Sequence, residues 1–204
     1  MVVRKIMARG GDYNFQERIK REKKTSYRKR RALVLSGLPR LVIRPTNKNI
    51  VVQIIEAKPE GDYALVSANS MELRKKFDWK ENCGNLPTAY LTGLLAGFKA
   101  LEGGIKKVIP DIGLKRVTKG SRLFAAMKGA SDAGLEIPCD EKILPEQSRI
   151  KGEHIAAYAK KISLVPELFN RYFSDYMKKG LDPQGIPEHF ERTKEKIQAQ
   201  FSRK

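Results

Sequence analysis

Apolar and polar positions fall into a regular order from Leu38 onward. Leu38–Thr46 is rich in β-branched and aliphatic residues, Asn47-Lys48-Asn49 has turn composition, and Ile50–Glu56 is aliphatic again. These stretches predict two strands joined as a β-hairpin. Lys58–Asp62, with Pro59 and Gly61, predicts another turn, and Tyr63–Ala68 a third strand. Ser70 is placed to cap a short helix running to about Phe77.

Residues 86–102 have the pattern of the main buried helix. Small side chains recur at Ala89, Gly93, Ala96, Gly97 and Ala100, and Leu91, Leu94, Leu95, Phe98 and Leu101 fill the other faces. Pro87 is tolerated in a first turn. Each interior glycine costs about 1 kcal/mol relative to alanine, which predicts a close approach to a sheet in return. Gly103-Gly104 stops the helix. Lys107–Gly113 predicts a fourth strand, and Pro110 within it predicts an edge or a bulge. A basic loop, Lys115–Gly120, leads into a helix over Ser121–Ala133 that Gly134 closes. The order β-β-β-(α)-α-β-α predicts an α/β fold, a mixed sheet of about four strands with helices against it. Beyond Pro138, helical windows recur at 146–161, 166–179 and 187–201. The middle one sets Leu168, Phe169, Tyr172, Phe173 and Tyr176 on one stripe, the spacing of core packing. In the last, Glu188 and Arg192 are spaced for an i,i+4 pair. Three regions follow: an arm over 1–37, an α/β core over 38–137 and a helical C-terminal extension over 138–204.

Charge changes the picture most in the arm. The 204 residues hold 41 Lys+Arg against 23 Asp+Glu, a formal +18. Residues 1–31 alone hold 12 basic and 3 acidic side chains, a net +9, which is half the excess. Apolar residues are scattered through Arg18–Arg31, so this segment cannot bury itself. It reads as an arm, partly helical from about Phe15 to Leu35, that nucleic acid orders. Tyr27 among the charges adds a ring that can stack on a base. Further cations border the hairpin at Arg40, Arg44 and Lys48, ring the loop at Lys115, Arg116, Lys119 and Arg122, and pair at Arg149 and Lys151. Ser121 and the first amides of its helix form a candidate phosphate site.

Other chemistries find little support. The longest strongly apolar stretch, Tyr90–Phe98, is nine residues, against roughly 20 for a bilayer span, so no membrane partner is expected. No secretory signal is visible at the N-terminus, and two cysteines, Cys83 and Cys139, make no disulfide framework, which points to a reducing cytosol. Thr118-Lys119-Gly120-Ser121 has Lys before Gly, the wrong order for a Walker loop. Cys83, Cys139, His154 and His189 lack metal-ligand spacing. A metal-dependent nuclease of ribonuclease H-like fold needs convergent carboxylates. Asp111 is one, but Arg40–Thr46 has none and Ile50–Glu56 only Glu56, so Asp111 reads as a structural turn or helix-end partner. A general basic DNA-binding protein is the other alternative.

Several runs resemble one family. Pro39–Ile50 (Pro-Arg-Leu-Val-Ile-Arg-Pro-Thr-Asn-Lys-Asn-Ile) is similar to the first hairpin of the L-eighteen family of large-subunit ribosomal proteins, and Gly84–Gly97 to the archaeal and eukaryotic form of its main helix. Asp111–Leu114, Lys119–Leu135 and Arg149–Ile155 continue the likeness, which covers about residues 13–162. The resemblance implies the α/β sandwich of translational-machinery components, no enzymatic activity and no cofactor. It implies binding of 5S rRNA and its attachment to the 23S rRNA-containing large subunit at the central protuberance, beside the L-five ribosomal protein, in the cytoplasm. It assigns Arg18, Arg21, Lys24, Tyr27, Arg28, Arg30 and Arg31 to the RNA, and places Arg44, Lys48 and the Lys119–Arg122 loop near it. Two departures stand out: Pro110 replaces an aliphatic residue, and Ser26 stands where the archaeal pattern has Asp.

Overall fold

The computed structural model describes residues 25–202. Its sheet has four strands: β1 (Arg40–Pro45), β2 (Ile50–Lys58), β3 (Gly61–Asn69) and β4 (Ile109–Asp111), in the order β3-β2-β1-β4. β1–β2 and β2–β3 are antiparallel, and β4 lies parallel to β1, with Arg40 opposite Ile109 and Val42 opposite Asp111. Pro110 therefore sits on an edge strand, as its missing N–H requires. The fourth strand is shorter than its sequence pattern, three residues instead of seven.

Side chains on β1 and β2 alternate. Leu41, Ile43, Ile50, Val52 and Ile54 are fully buried on one face, against α3 (Leu86–Glu102) and α4 (Arg122–Asp132). Asn85 caps α3, its side chain accepting from Thr88 N at 3.0 Å. The interior glycines of α3 serve a close approach to a helix and not to the sheet. A Cβ on Gly93 would fall inside contact distance of Ala126 O, and one on Gly129 of α4 inside that of Tyr90 O. Tyr90 Oη donates to Asp132 Oδ2 at 2.8 Å across the same crossing.

The short helix α2 (Ser70–Lys76) is capped by Asn69 and not by Ser70. Asn69 Oδ1 accepts from Met71 N, and Glu72 returns a bond to Asn69 N, a capping box. Ser70 is buried, and its hydroxyl accepts from Ile50 N at 3.0 Å. Burial raises the Glu72 pKa, but the hydrogen bond and charge of Lys99, the Asn69 amide and the Lys76 charge outweigh it and leave the carboxyl below its usual range. The Glu72–Lys99 contact is 2.7 Å. A lowered carboxyl pKa gives stability that is complete above the unfolded value and lost as pH falls through the folded one. We expect Glu72→Gln to lower Tm by about 2 °C at neutral pH. The gap from wild type should close under acid, well below pH ~4. A pH-independent gap in thermal melts would contradict this role for the charge.

The arm helix is α1 (Tyr27–Leu35), which buries no residue. At the other end the chain forms α5 (Gln147–Lys151), α6 (Glu153–Ile162), α7 (Pro166–Tyr172), α8 (Ser174–Lys178) and α9 (Ile186–Ser202). Two of the expected windows are broken. Gly152, in the left-handed region at φ 87°, separates α5 from α6. Phe173 interrupts the second window, so the aromatic stripe splits: Phe173 and Tyr176 are buried with Ala159, Ile162 and Ile186, while Leu168 and Tyr172 are exposed. Helix α9 packs onto the main core through Phe190 and Ile197, with the Phe190 ring 5.5 Å from that of Tyr90. Glu188 and Arg192 pair at 3.7 Å on its exposed face.

Candidate nucleic-acid interface

One end of the sheet gathers three chain turns. Arg122 Nη1 donates to Thr46 O at 3.0 Å and to Gly84 O at 2.6 Å. It thus ties the hairpin turn and the start of α3 to the start of α4. Arg122 was expected near RNA as a free cation; its guanidinium is a brace inside the protein. Beside it, Ser121 holds the N-cap position of α4, yet its Oγ is buried and has no hydrogen-bond partner among the described residues. The first turn of α4 contains no acid, so its amides and dipole keep a positive potential. Lys119 and Lys48 stand exposed nearby in sequence on the loop and the turn.

A second cluster lies across β1 and β4. Asp111, 8% exposed, accepts from Arg40 Nη1 at 3.0 Å, from Gly113 N at 2.8 Å and from Arg44 Nη2 at 3.4 Å. Arg44 Nη1 also donates to the Asp111 carbonyl at 2.9 Å. Arg44, expected at the RNA, is therefore fixed on Asp111, with 44% of its side chain still open to solvent. Arg40 is buried, and its Nη2 lies 2.9 Å from Asp62 Oδ2 outside hydrogen-bond alignment. The structural role expected for Asp111 is what these contacts describe: its oxygens are committed to two guanidinium groups and a turn amide. Among the described residues no group of three or more His, Cys, Asp or Glu is placed to hold a metal.

The arm residues fall into two sets. Arg18, Arg21 and Lys24 lie outside the described residues. Tyr27, Arg28 and Arg31 are exposed on α1, and neither arginine has an acidic partner among the described residues. Arg30 donates to Asp62 Oδ1 at 3.0 Å, the contact that leans α1 on the sheet. Between α1 and the sheet lies a cleft of about 410 Å³.

The later pair also divides. Lys151 bonds Glu191 at 2.9 Å, which holds its pKa above the usual lysine value and joins α5 to α9. Arg149 is exposed. Burial first, and then the Arg149 charge, lowers the His154 pKa. Sequence reasoning did not find the bracing of Arg40 by Asp62 and Asp111, because nothing local marks partners so far apart in the chain. No helix among the described residues is long and apolar enough to cross a membrane.

Comparison with known proteins places this arrangement. Residues 12–109 and 102–140 match the family model described as ribosomal large subunit proteins 60S L5, and 50S L18. The chain is 50% identical over 196 residues to large ribosomal subunit protein uL18 of Staphylothermus marinus, covering 96% of this chain and 97% of the relative. It is 49% identical to the protein of that name from Caldivirga maquilingensis over 97% of this chain and 96% of the relative. Against the Thermofilum pendens protein it is 51% identical over 94% of this chain and 98% of the relative. The resemblance of Pro39–Ile50 and Gly84–Gly97 thus extends over nearly the whole chain, and the chain belongs to the ribosomal large-subunit family of 60S L5 and 50S L18 proteins, structural constituents of the large subunit and not enzymes.

Proposed function

We propose that the chain binds 5S rRNA and attaches it to the 23S rRNA-containing subunit at the central protuberance, beside the L-five ribosomal protein, in the cytoplasm. The observation that carries this reading is α1: a helix with no buried residue, presenting Tyr27, Arg28 and Arg31 to solvent at the end of an arm with half the net charge. A helix without a buried face gains its stability from a partner, and this one offers cations and a ring, the groups that meet phosphates and unpaired bases. Lys48, Lys119, Arg149 and the start of α4 at Ser121 extend the basic surface. Arg44, Arg122 and Lys151 serve it by holding the framework, with the open part of Arg44 available to phosphate. Arg18, Arg21, Lys24 and Arg30 belong to the same arm.

Phosphate contacts release counterions, so affinity for 5S rRNA should fall at least about 100-fold between ~50 and ~200 mM salt. Filter binding across a salt series measures this, and a flat dependence overturns the reading. Removing residues 1–31 should weaken binding at least about 100-fold at fixed salt. Full affinity in the shortened chain would remove the arm from the interface. Equal affinity for random duplex DNA would instead support a general DNA-binding role.

A further inference from the structure

The hairpin turn, α2 and the end of α8 meet around a cleft of about 280 Å³. Lys48 enters it from the turn, Arg74 from the last turn of α2, and Lys179 from the residue after α8. Asp175 is the one acid among its lining residues. Lys48 and Lys179 are exposed and have no ionic partner among the described residues. Arg74 donates to the Glu81 carbonyl at a long 3.4 Å. The buried Cys83 thiol reports the convergence independently. Burial pushes its pKa up, and the charges of Arg74 and Lys179 both pull against that shift. Arg74 and Lys179 also line an adjoining cleft of about 310 Å³ with Lys80, so the cations form a track and not a single point.

Three like charges drawn from distant parts of the chain repel one another unless an anion lies between them. An arginine fork with flanking lysines suits phosphate oxygens, and a track longer than one pocket suits a chain of them. We propose that this cleft binds backbone phosphates of the 5S rRNA, and that through Lys179 the C-terminal helices form part of the RNA interface. This rests on the RNA-binding reading above.

The test uses the full chain and 5S rRNA. Lys48→Gln with Lys179→Gln should weaken binding about tenfold and flatten the log–log salt slope by about one. Neither lysine has a partner to lose, so folding should be unchanged by circular dichroism. Arg74→Gln should weaken binding by a similar factor, and Arg74→Lys should restore most of it, which a purely structural Arg74–Glu81 contact would not predict. Lys106→Gln, at the end of the sheet away from the hairpin turn, should bind like wild type. If wild type binds with steep salt dependence and the double variant matches it within about twofold, the cleft assignment is overturned while the RNA reading stands. If wild type shows no salt-dependent affinity, both fall. If the double variant loses inorganic phosphate but keeps RNA, the cleft takes a free anion and the proposal is overturned.

Discussion

Gly93→Ala is expected to destabilise the protein by about 3 kcal/mol, the upper range for overpacking a core. The added methyl would be driven into the carbonyl oxygen of Ala126, on the backbone of the facing helix. A flexible side chain could swing away, but two helix backbones cannot part at one point without opening the whole crossing. The contact is reciprocal, since Gly129 meets Tyr90 O in the same way. Gly103→Ala is the control: there the nearest atom to an added Cβ is 3.4 Å away, an ordinary contact. It should lie within about 0.5 kcal/mol of wild type. Urea denaturation of both variants decides the matter, and equal midpoints would mean that the α3–α4 crossing is not close-packed.

Asp111→Ala should be as damaging, at about 3–5 kcal/mol. It would leave the buried Arg40 with only a misaligned contact to Asp62, free the Arg44 guanidinium and orphan the Gly113 amide. Breaking one side of a buried pair strands a charge in a medium that cannot solvate it. Asp111→Asn keeps an acceptor for Gly113 and should fall between wild type and alanine. If Asp111→Ala unfolds within about 1 kcal/mol of wild type, the pair is better solvated than its burial indicates.

Elements set by local periodicity were legible in the sequence. The two strands around Asn47-Lys48-Asn49 follow from their aliphatic runs, α3 from its small and large alternation, and the edge position of β4 from Pro110. What escaped depends on partners that local pattern does not reveal. Asn69 and Ser70 are both good caps by type, and only the β2 amide that claims the Ser70 hydroxyl decides between them. The window at 146–161 reads as continuous until Gly152 takes a left-handed conformation with its Cα 2.8–3.0 Å from where Ile186 and Pro87 would meet a Cβ. The candidate site was legible as a set of cations and not as an arrangement. Charge says that Arg44, Arg122 and Lys151 are basic; only the fold says that each already holds an oxygen of the protein itself.

Asp62 gives the arm a particular mechanical property. One of its oxygens faces Arg30 on α1 and the other faces Arg40 in the sheet. The first contact is exposed and therefore worth at most about 1 kcal/mol; the second belongs to a buried arginine that also keeps Asp111. If a phosphate takes Arg30, the carboxylate remains engaged on its inner side, and no buried charge is stranded. The arm is thus latched by a contact whose release leaves the sheet's own electrostatics closed, so α1 can change its orientation on the α/β layer without unfolding any of it.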